Sequence, residues 1–371
     1  MRFPFFNNKW STTTLGTITK VFSGGTPSSK NKAYYNGNIP FIRSGEINKE
    51  ETELFLSEDG LKNSSAKLVS KGDLLLALYG ATSGEIGISK IDGAINQAIL
   101  CIKSNENIGF LKYLWESHVD GILKTYLQGG QGNLSAEIFK SIKIHIPSLE
   151  EQLVLYDFFE KLEKRINTQK KIIEDLLSSK NIIKNKMIHK AKEIGNYYTL
   201  KELGQYFNGV AHENNISEQG YVLINSKFIS SDGTIKKHVN DSSFVLKKND
   251  ICIVLSDLPN GKALSKCFFV NKDNYYALNQ RIACIRTNDI SFSKYLYYYL
   301  SRNDYFLKFD DGVSQTNLKK DDVLNCPIYY SDFVKKYIEY LEIIDIKIKN
   351  EKQILLLYEQ QKQYLLDKMF I

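Results

Sequence analysis

The chain has 371 residues, 43% of them hydrophobic, and a formal net charge of +7, which gives room for two ordinary domains with filled cores. Its longest apolar runs, at residues 74–78 and 251–255, fall far short of the roughly 20 residues a membrane helix needs. The charge is spread evenly, +3 over residues 1–147, +2 over 148–193, +2 over 194–327 and zero over 328–371, so a mixed solvated surface explains it as well as a nucleic-acid partner does.

Cys101, Cys252, Cys267, Cys284 and Cys326 are odd in number and form no close pair, which predicts reduced, buried thiols. Asn7, Asn8 and Lys9 interrupt the N-terminal segment before a signal-peptide core can form; the expected location is the cytoplasm.

Residues 1–147 read as a first globe. SGGTPSS at 23–29 is a loop, IPFIRSGEI at 39–47 is extended, KGDLLLALYG at 71–80 turns into a buried strand, and GATSGEIGI at 80–88 is a glycine-rich turn into the next strand. A helix is expected near residues 110–127, then the loop GGQGNLS at 129–135 and a strand ending at Pro147.

Residues 148–193 read as one long helix. Ser148 can cap it, Glu150 and Glu151 suit its positive end, no Gly or Pro interrupts it, and Gly195 ends it. Its apolar residues Leu155, Phe159, Leu162, Ile166, Ile173, Leu176, Ile183 and Met187 recur at heptad spacing, with Gln169 and Lys180 as polar slots. The same seam returns 182 residues later as Tyr337, Leu341, Ile344, Ile348, Leu355, Tyr358, Leu365 and Met369, with Glu351 and Lys362 in the polar slots.

Residues 194–327 repeat the first globe: Leu203-Gly204 answers Leu15-Gly16, LINS at 223–226 answers FIRS at 41–44, KNDI at 248–251 answers KGDL at 71–74, Asn317-Leu318 answers Asn133-Leu134, and Pro327 answers Pro147. A second long helix is expected over 328–371. The predicted fold is therefore α+β: two duplicated globes separated by two long helices, which form an intramolecular antiparallel coiled coil with pseudo-twofold symmetry. The antiparallel register that matches the polar slots sets Lys180 against Glu351 and Gln169 against Lys362.

Catalytic apparatus is not legible. None of the six prolines is followed by another, so the Asx-Pro-Pro-aromatic signature of amino-methyltransferases is missing, as is a Walker loop. His118, His145, His189, His212 and His238 show no metal-ligand spacing. Glu85 with Lys90, and Asp257 with Lys262, lack the companion acid a nuclease site needs and read as turn charges. The informative stretches are GGQGNLS and its counterpart GVSQTNLK at 312–319, whose Gln131, Asn133, Gln315 and Asn317 can read adenine edges bidentately; the same residues equally suit turn and helix-cap chemistry. Lys236, Lys237, Lys247 and Lys248 are a basic cluster or a solvated face.

In SGGTPSS, YYNGNIPFI, GATSGEIGI followed by NQA, the NLS loop, and IPSLEEQ opening a long helix, the chain resembles the specificity subunits of type I restriction-modification systems. The resemblance implies a non-catalytic subunit in which each target-recognition domain reads one half of a split double-stranded DNA site and the helices set the unread gap. It implies docking of two modification subunits that methylate adenine with S-adenosylmethionine, and of restriction subunits that translocate and cleave DNA with ATP and Mg; no cofactor is expected on this chain. Candidate DNA contacts are then Arg43, Ser44, Ser83, Gln131 and Asn133 in the first domain, and Asn225, Lys227, Lys236, Lys237, Lys262, Gln315 and Asn317 in the second. SDLPNGKALSK at 256–266 and YYSDFVKK at 329–336 depart from the first-half motifs, which implies two unlike half-sites. Two alternatives stay open: a coiled-coil adaptor without DNA recognition, and a fragment of a fused nuclease-methyltransferase.

Overall fold

The computed structural model describes residues 1–126, 133–212, 215–242 and 244–370. The chain divides into two units, Met1–Lys171 with Gln353–Ile371, and Ile172–Lys352, so each unit holds one globe and a stretch of both long helices.

In the first unit the strand Ser11–Thr14 lies antiparallel to Lys143–Ile146, with Thr14 opposite Lys143. An antiparallel sheet follows the order Thr19–Ser23, Ile99–Ser104, Leu74–Ala77, Ile86–Ile88. A second sheet runs Phe55–Leu56, Ile39–Ile42, Gly93–Ile95, Lys67–Val69, with one parallel pair, Ile39–Ile42 beside Gly93–Ile95. The unbroken apolar run at 74–77 has a simple cause. Successive strand residues point to opposite faces, and here both faces are covered: Leu74 and Leu76 enter one core, Leu75 and Ala77 another. The first of these cores also takes Phe110, Tyr113 and Leu114 from the helix Ile108–Tyr126, Leu155 and Phe159 from the first long helix, Leu366 and Met369 from the second, and Phe370 just after it.

The second unit repeats the central plan and differs at the sheet edges. Asn196–Thr199 pairs with Pro327–Tyr330; the antiparallel sheet is Gln205–Asn208, Ile282–Arg286, Ile251–Val254, Cys267–Phe269; and the other sheet again holds one parallel pair, Tyr221–Ile224 beside Tyr276–Leu278. Ile251 and Ile253 face one core while Cys252 and Val254 face the other. Duplication is thus visible in register as well as in sequence.

One boundary moves. Pro327 opposes Thr199 as Lys143 opposes Thr14, so Pro327 answers Lys143 and not Pro147. A strand and the short turn Asp332–Val334 occupy the start of the segment read as helix, and the second long helix spans Lys335–Met369. The first spans Leu149–Ile194. Gly195 follows it at a position where a Cβ would stand 2.4 Å from the Ala191 carbonyl oxygen.

The first-turn acids also do more than face a dipole. Glu150 is exposed, but Glu151 and Gln152 are buried. Glu151 accepts a two-point bond from the Arg2 guanidinium at 2.7 and 2.5 Å and one from Trp10 at 3.2 Å. Gln152 accepts from the Asn107 amide at 3.0 Å and donates to Glu106 at 2.8 Å. The SLEEQ stretch is therefore a clasp between globe and helix. In the second unit Val334, fully buried, makes an apolar contact at the position that answers Gln152, and Phe333 stands where Glu151 does.

No seam position on either helix is exposed, the polar slots included. In the first unit Glu163 pairs with Lys362 at 2.5 Å and Lys170 with Glu359 at 3.1 Å, so the helices run antiparallel there. In the second, Lys180 pairs with Asp345 at 2.5 Å. Of the two seam lysines, Lys180 ion-pairs with Asp345, and Lys362 with Glu163 and Glu116. A seam lysine can lay its stem along the apolar interface and carry its ammonium to a carboxylate at the edge, avoiding the desolvation of an ion pair held inside. The two pairs are copies of one another, since the 182-residue offset relates Lys180 to Lys362 and Glu163 to Asp345.

Candidate nucleic-acid interface

In each unit one backbone hydrogen bond ties the Asn-Leu loop to the turn after the buried strand. The Leu134 amide donates to the Leu78 carbonyl at 3.0 Å, and the Leu318 amide to the Leu255 carbonyl at 2.8 Å. Leu134 and Leu318 are buried as anchors, which leaves the preceding Asn133 and Asn317 exposed.

In the first unit Leu78 is a hub. Its carbonyl also accepts from Ser83 Oγ at 3.0 Å, and its amide donates to Ala98 at 2.8 Å, bringing the 80–85 turn, the Asn-Gln-Ala loop and Asn133 together. Gly84 is required in this turn, with φ of +89° and a would-be Cβ 2.8 Å from Val119. Its carbonyl accepts from Trp115 at 2.8 Å. Gln131 lies outside the described residues.

In the second unit the connection is longer and organised by a carboxylate. Asp257 accepts from the amides of Leu258, Ala263 and Leu264 at 2.9, 2.6 and 3.0 Å, so its pairing with Lys262 in a nuclease site is not what it serves. Ser256 and Asp257 pair with Asn317 and Thr316 as a short ladder, Gln315 donates to Ser256 Oγ at 2.7 Å, and Asn260 donates to the Gly312 carbonyl at 3.2 Å. Lys262, Gln315 and Asn317 are thereby gathered on two interlocked loops, all exposed. On the same loops stand Leu258 and Val313, 69% and 84% exposed, which the sequence reading passed over. Their signal was an apolar residue inside an otherwise polar, glycine-bearing loop; such side chains can contact the thymine methyl.

The remaining candidates lie outside these loops. Arg43 binds Glu46 at 2.8 Å and Glu53 at 2.5 Å, with Ser44 half-buried in the turn it opens. Burial alone raises the Glu46 pKa, but bonds from the Arg43 side chain and amide, the Glu53 amide and the Thr52 hydroxyl bring it down to about 2. Asn225, at the matching position of the second unit, caps the helix Ser226–Ser230 by accepting from the Phe228 amide at 2.8 Å. Lys227, Lys236 and Lys237 are exposed, the last two beside the strand His238–Val239 and away from the interlocked loops in sequence.

The chemistry available is recognition by hydrogen bonds, charge and apolar contact. All five cysteines are free and buried, and burial raises the Cys101 and Cys326 thiols to about 12, so they are neutral at pH 7 and poor nucleophiles. Among the described residues no helix is long and apolar enough to cross a membrane.

Residues 7–178 match the family described as type I restriction modification DNA specificity domain. The MjaIX type I restriction enzyme specificity subunit of Methanocaldococcus jannaschii is 27% identical over 180 residues, 45% of this chain and 41% of that protein. The MjaVIII specificity subunit of the same organism is 25% identical over 394 residues, 93% of this chain and 89% of that protein. In fold the chain is similar to the crystal structure of a type I restriction-modification S subunit from M. genitalium, with a TM-score of 0.59 at 15% identity over 100% of this chain and 99% of the other. The match to the specificity-domain family covers residues 7–178, and the similarity to a type I restriction enzyme specificity subunit extends over 93% of this chain.

Proposed function

We propose that this chain is the non-catalytic DNA sequence-specificity subunit of a type I restriction-modification complex. Each globe reads one half of a bipartite, asymmetric double-stranded DNA site, and the paired helices set the gap and dock two modification subunits. Restriction subunits complete the complex. S-adenosylmethionine, ATP and Mg belong to those partners and serve adenine methylation and DNA cleavage there; this chain's part is to choose the sequence. The division into recognition domains at 1–147 and 194–327 with spacers at 148–193 and 328–371 follows from the same reading, with the helix of the second spacer starting at Lys335, and the setting is the cytoplasm.

The observation that carries the reading is the repeated loop pair. Two units of one chain present an exposed asparagine on the same Leu–Leu backbone bond, beside turns that differ in length and chemistry. Shared scaffolds with unlike loops suit two half-sites of unlike sequence, because base edges are read by side chains while the backbone framework only positions them. Substitution separates the two halves. Asn133→Ala is expected to relax one half of the methylated motif and Asn317→Ala the other, each by about 1–3 kcal/mol of discrimination. Motif sequencing after methylation by the assembled complex checks this; loss of both halves together from either change contradicts independent reading.

A further inference from the structure

Within the second unit a cleft of about 320 Å³ opens between the end of the first long helix and the segment that follows the helix Ile290–Leu300. Its charged wall holds Lys184, His189, Lys192, Arg302 and Lys308 against a single acid, Asp304. Elsewhere in the chain inward-reaching cations meet carboxylates, as Arg286 meets Asp250 at 2.7 Å and Lys180 meets Asp345 at 2.5 Å. Here they meet backbone: Lys184 donates to the Ser301 carbonyl at 2.7 Å, and Arg302 to the carbonyls of Leu264 and Gly261 at 3.2 and 3.4 Å. Carbonyls satisfy donors without cancelling charge, so among the described residues Lys184 and Arg302 keep their positive fields. Burial holds the Lys184 ammonium below its ordinary value, a penalty that a bound anion relieves.

Arg302 is placed with care. It follows the helix end at a φ of +53°, where a glycine or asparagine is the usual occupant, and its amide donates to the Ser265 carbonyl at 3.1 Å. Both its backbone and its guanidinium are thus fastened to residues 261–265, the stretch that carries Lys262. Arg302 links the cleft it lines to the recognition loop.

Resting on the reading of this chain as a DNA specificity subunit, we propose that this cleft is a phosphate-binding site for the DNA backbone, which fixes the duplex in register while the neighbouring loops read bases. Arginine and lysine converging on one concave wall are the side chains that bind phosphate oxygens, and phosphate contacts orient a protein on DNA without reading its sequence. Lys192 and Lys308 are exposed and sit at the mouth of the site, so they can be removed without disturbing a core.

The test uses the full chain assembled with its modification subunits. Binding is measured across a salt series on a duplex containing the methylated motif and on an unrelated duplex, for the native assembly and for Lys192→Ala, Lys308→Ala and the double variant. Each single change is expected to lower the slope of log K against log salt by about one, the double by about two, and to weaken both duplexes alike while the methylated motif stays the same. A double variant with the native slope overturns the site, although the native assembly still binds its motif and the broader reading stands. Loss of modification subunits with an unchanged slope overturns it in favour of an acidic protein segment. A native assembly with no salt-dependent DNA binding overturns the site and the reading together.

Discussion

Five donors converge on the Glu46 carboxylate: three from Arg43, one from Thr52 and one from the Glu53 amide, at 2.8–3.2 Å. Its folded pKa, about 2, lies below the ordinary 4.5, so its contribution to stability is complete above pH 4.5 and is lost as pH falls toward 2. Glu46→Gln is expected to cost about 2–3 kcal/mol at pH 7, because it leaves an arginine half-buried without its main partner. The gap between native and variant unfolding free energies should then shrink through that acid window; a gap constant with pH contradicts the assignment. Arg43→Ala is expected to lower stability and leave the methylated motif unchanged, since its guanidinium is engaged by Glu46 and Glu53. Sequence read Arg43 as part of an extended segment over 39–47, whereas Ser44–Glu46 form a turn that brings Glu46 back onto it. Asn133 and Asn317 were legible because a repeated Asn-Leu pair marks the same loop twice.

At the level of elements, no seam position picked out by heptad spacing is exposed, although Ile338 and Leu366, outside the seam, are also buried. Periodicity reports which side of a helix is covered, and that much is carried by the residues themselves. Which residue a seam lysine bonds is another matter, since a lysine stem spans about a helical turn and settles on the acid with the smaller desolvation cost. A double-mutant cycle on Lys180 and Asp345 is expected to show coupling of about 1 kcal/mol, read from denaturant midpoints; no coupling removes the pair as a contributor. Phe159, fully buried and 5.4 Å from the Phe370 ring, joins both long helices to the first core, and Phe159→Ala should cost about 3–5 kcal/mol. The start of the second helix was misplaced because Pro327 was matched to Pro147 by residue type, whereas strand pairing matches it to Lys143.

For the molecule as a whole, duplication is the organising fact, and it was legible because two copies of one sheet plan need the same buried strand and the same anchoring leucine. What the second copy recognises was not legible, because loop side chains vary without disturbing the scaffold that holds them. The account makes the helices a spacer between two independent readers. Removing one heptad from both seams shortens each helix by about 10 Å, near three base pairs at about 3.4 Å each. The preferred gap should change by that amount with both half-sites preserved; altered half-sites mean the helices do something other than spacing. The most direct measurement of the central claim is methylome sequencing of cells carrying this chain with its modification subunit. The account predicts one adenine-methylated motif made of two unlike specified halves flanking an unspecified gap, present only when this chain is expressed. A continuous or palindromic motif, or no motif dependent on this chain, contradicts it.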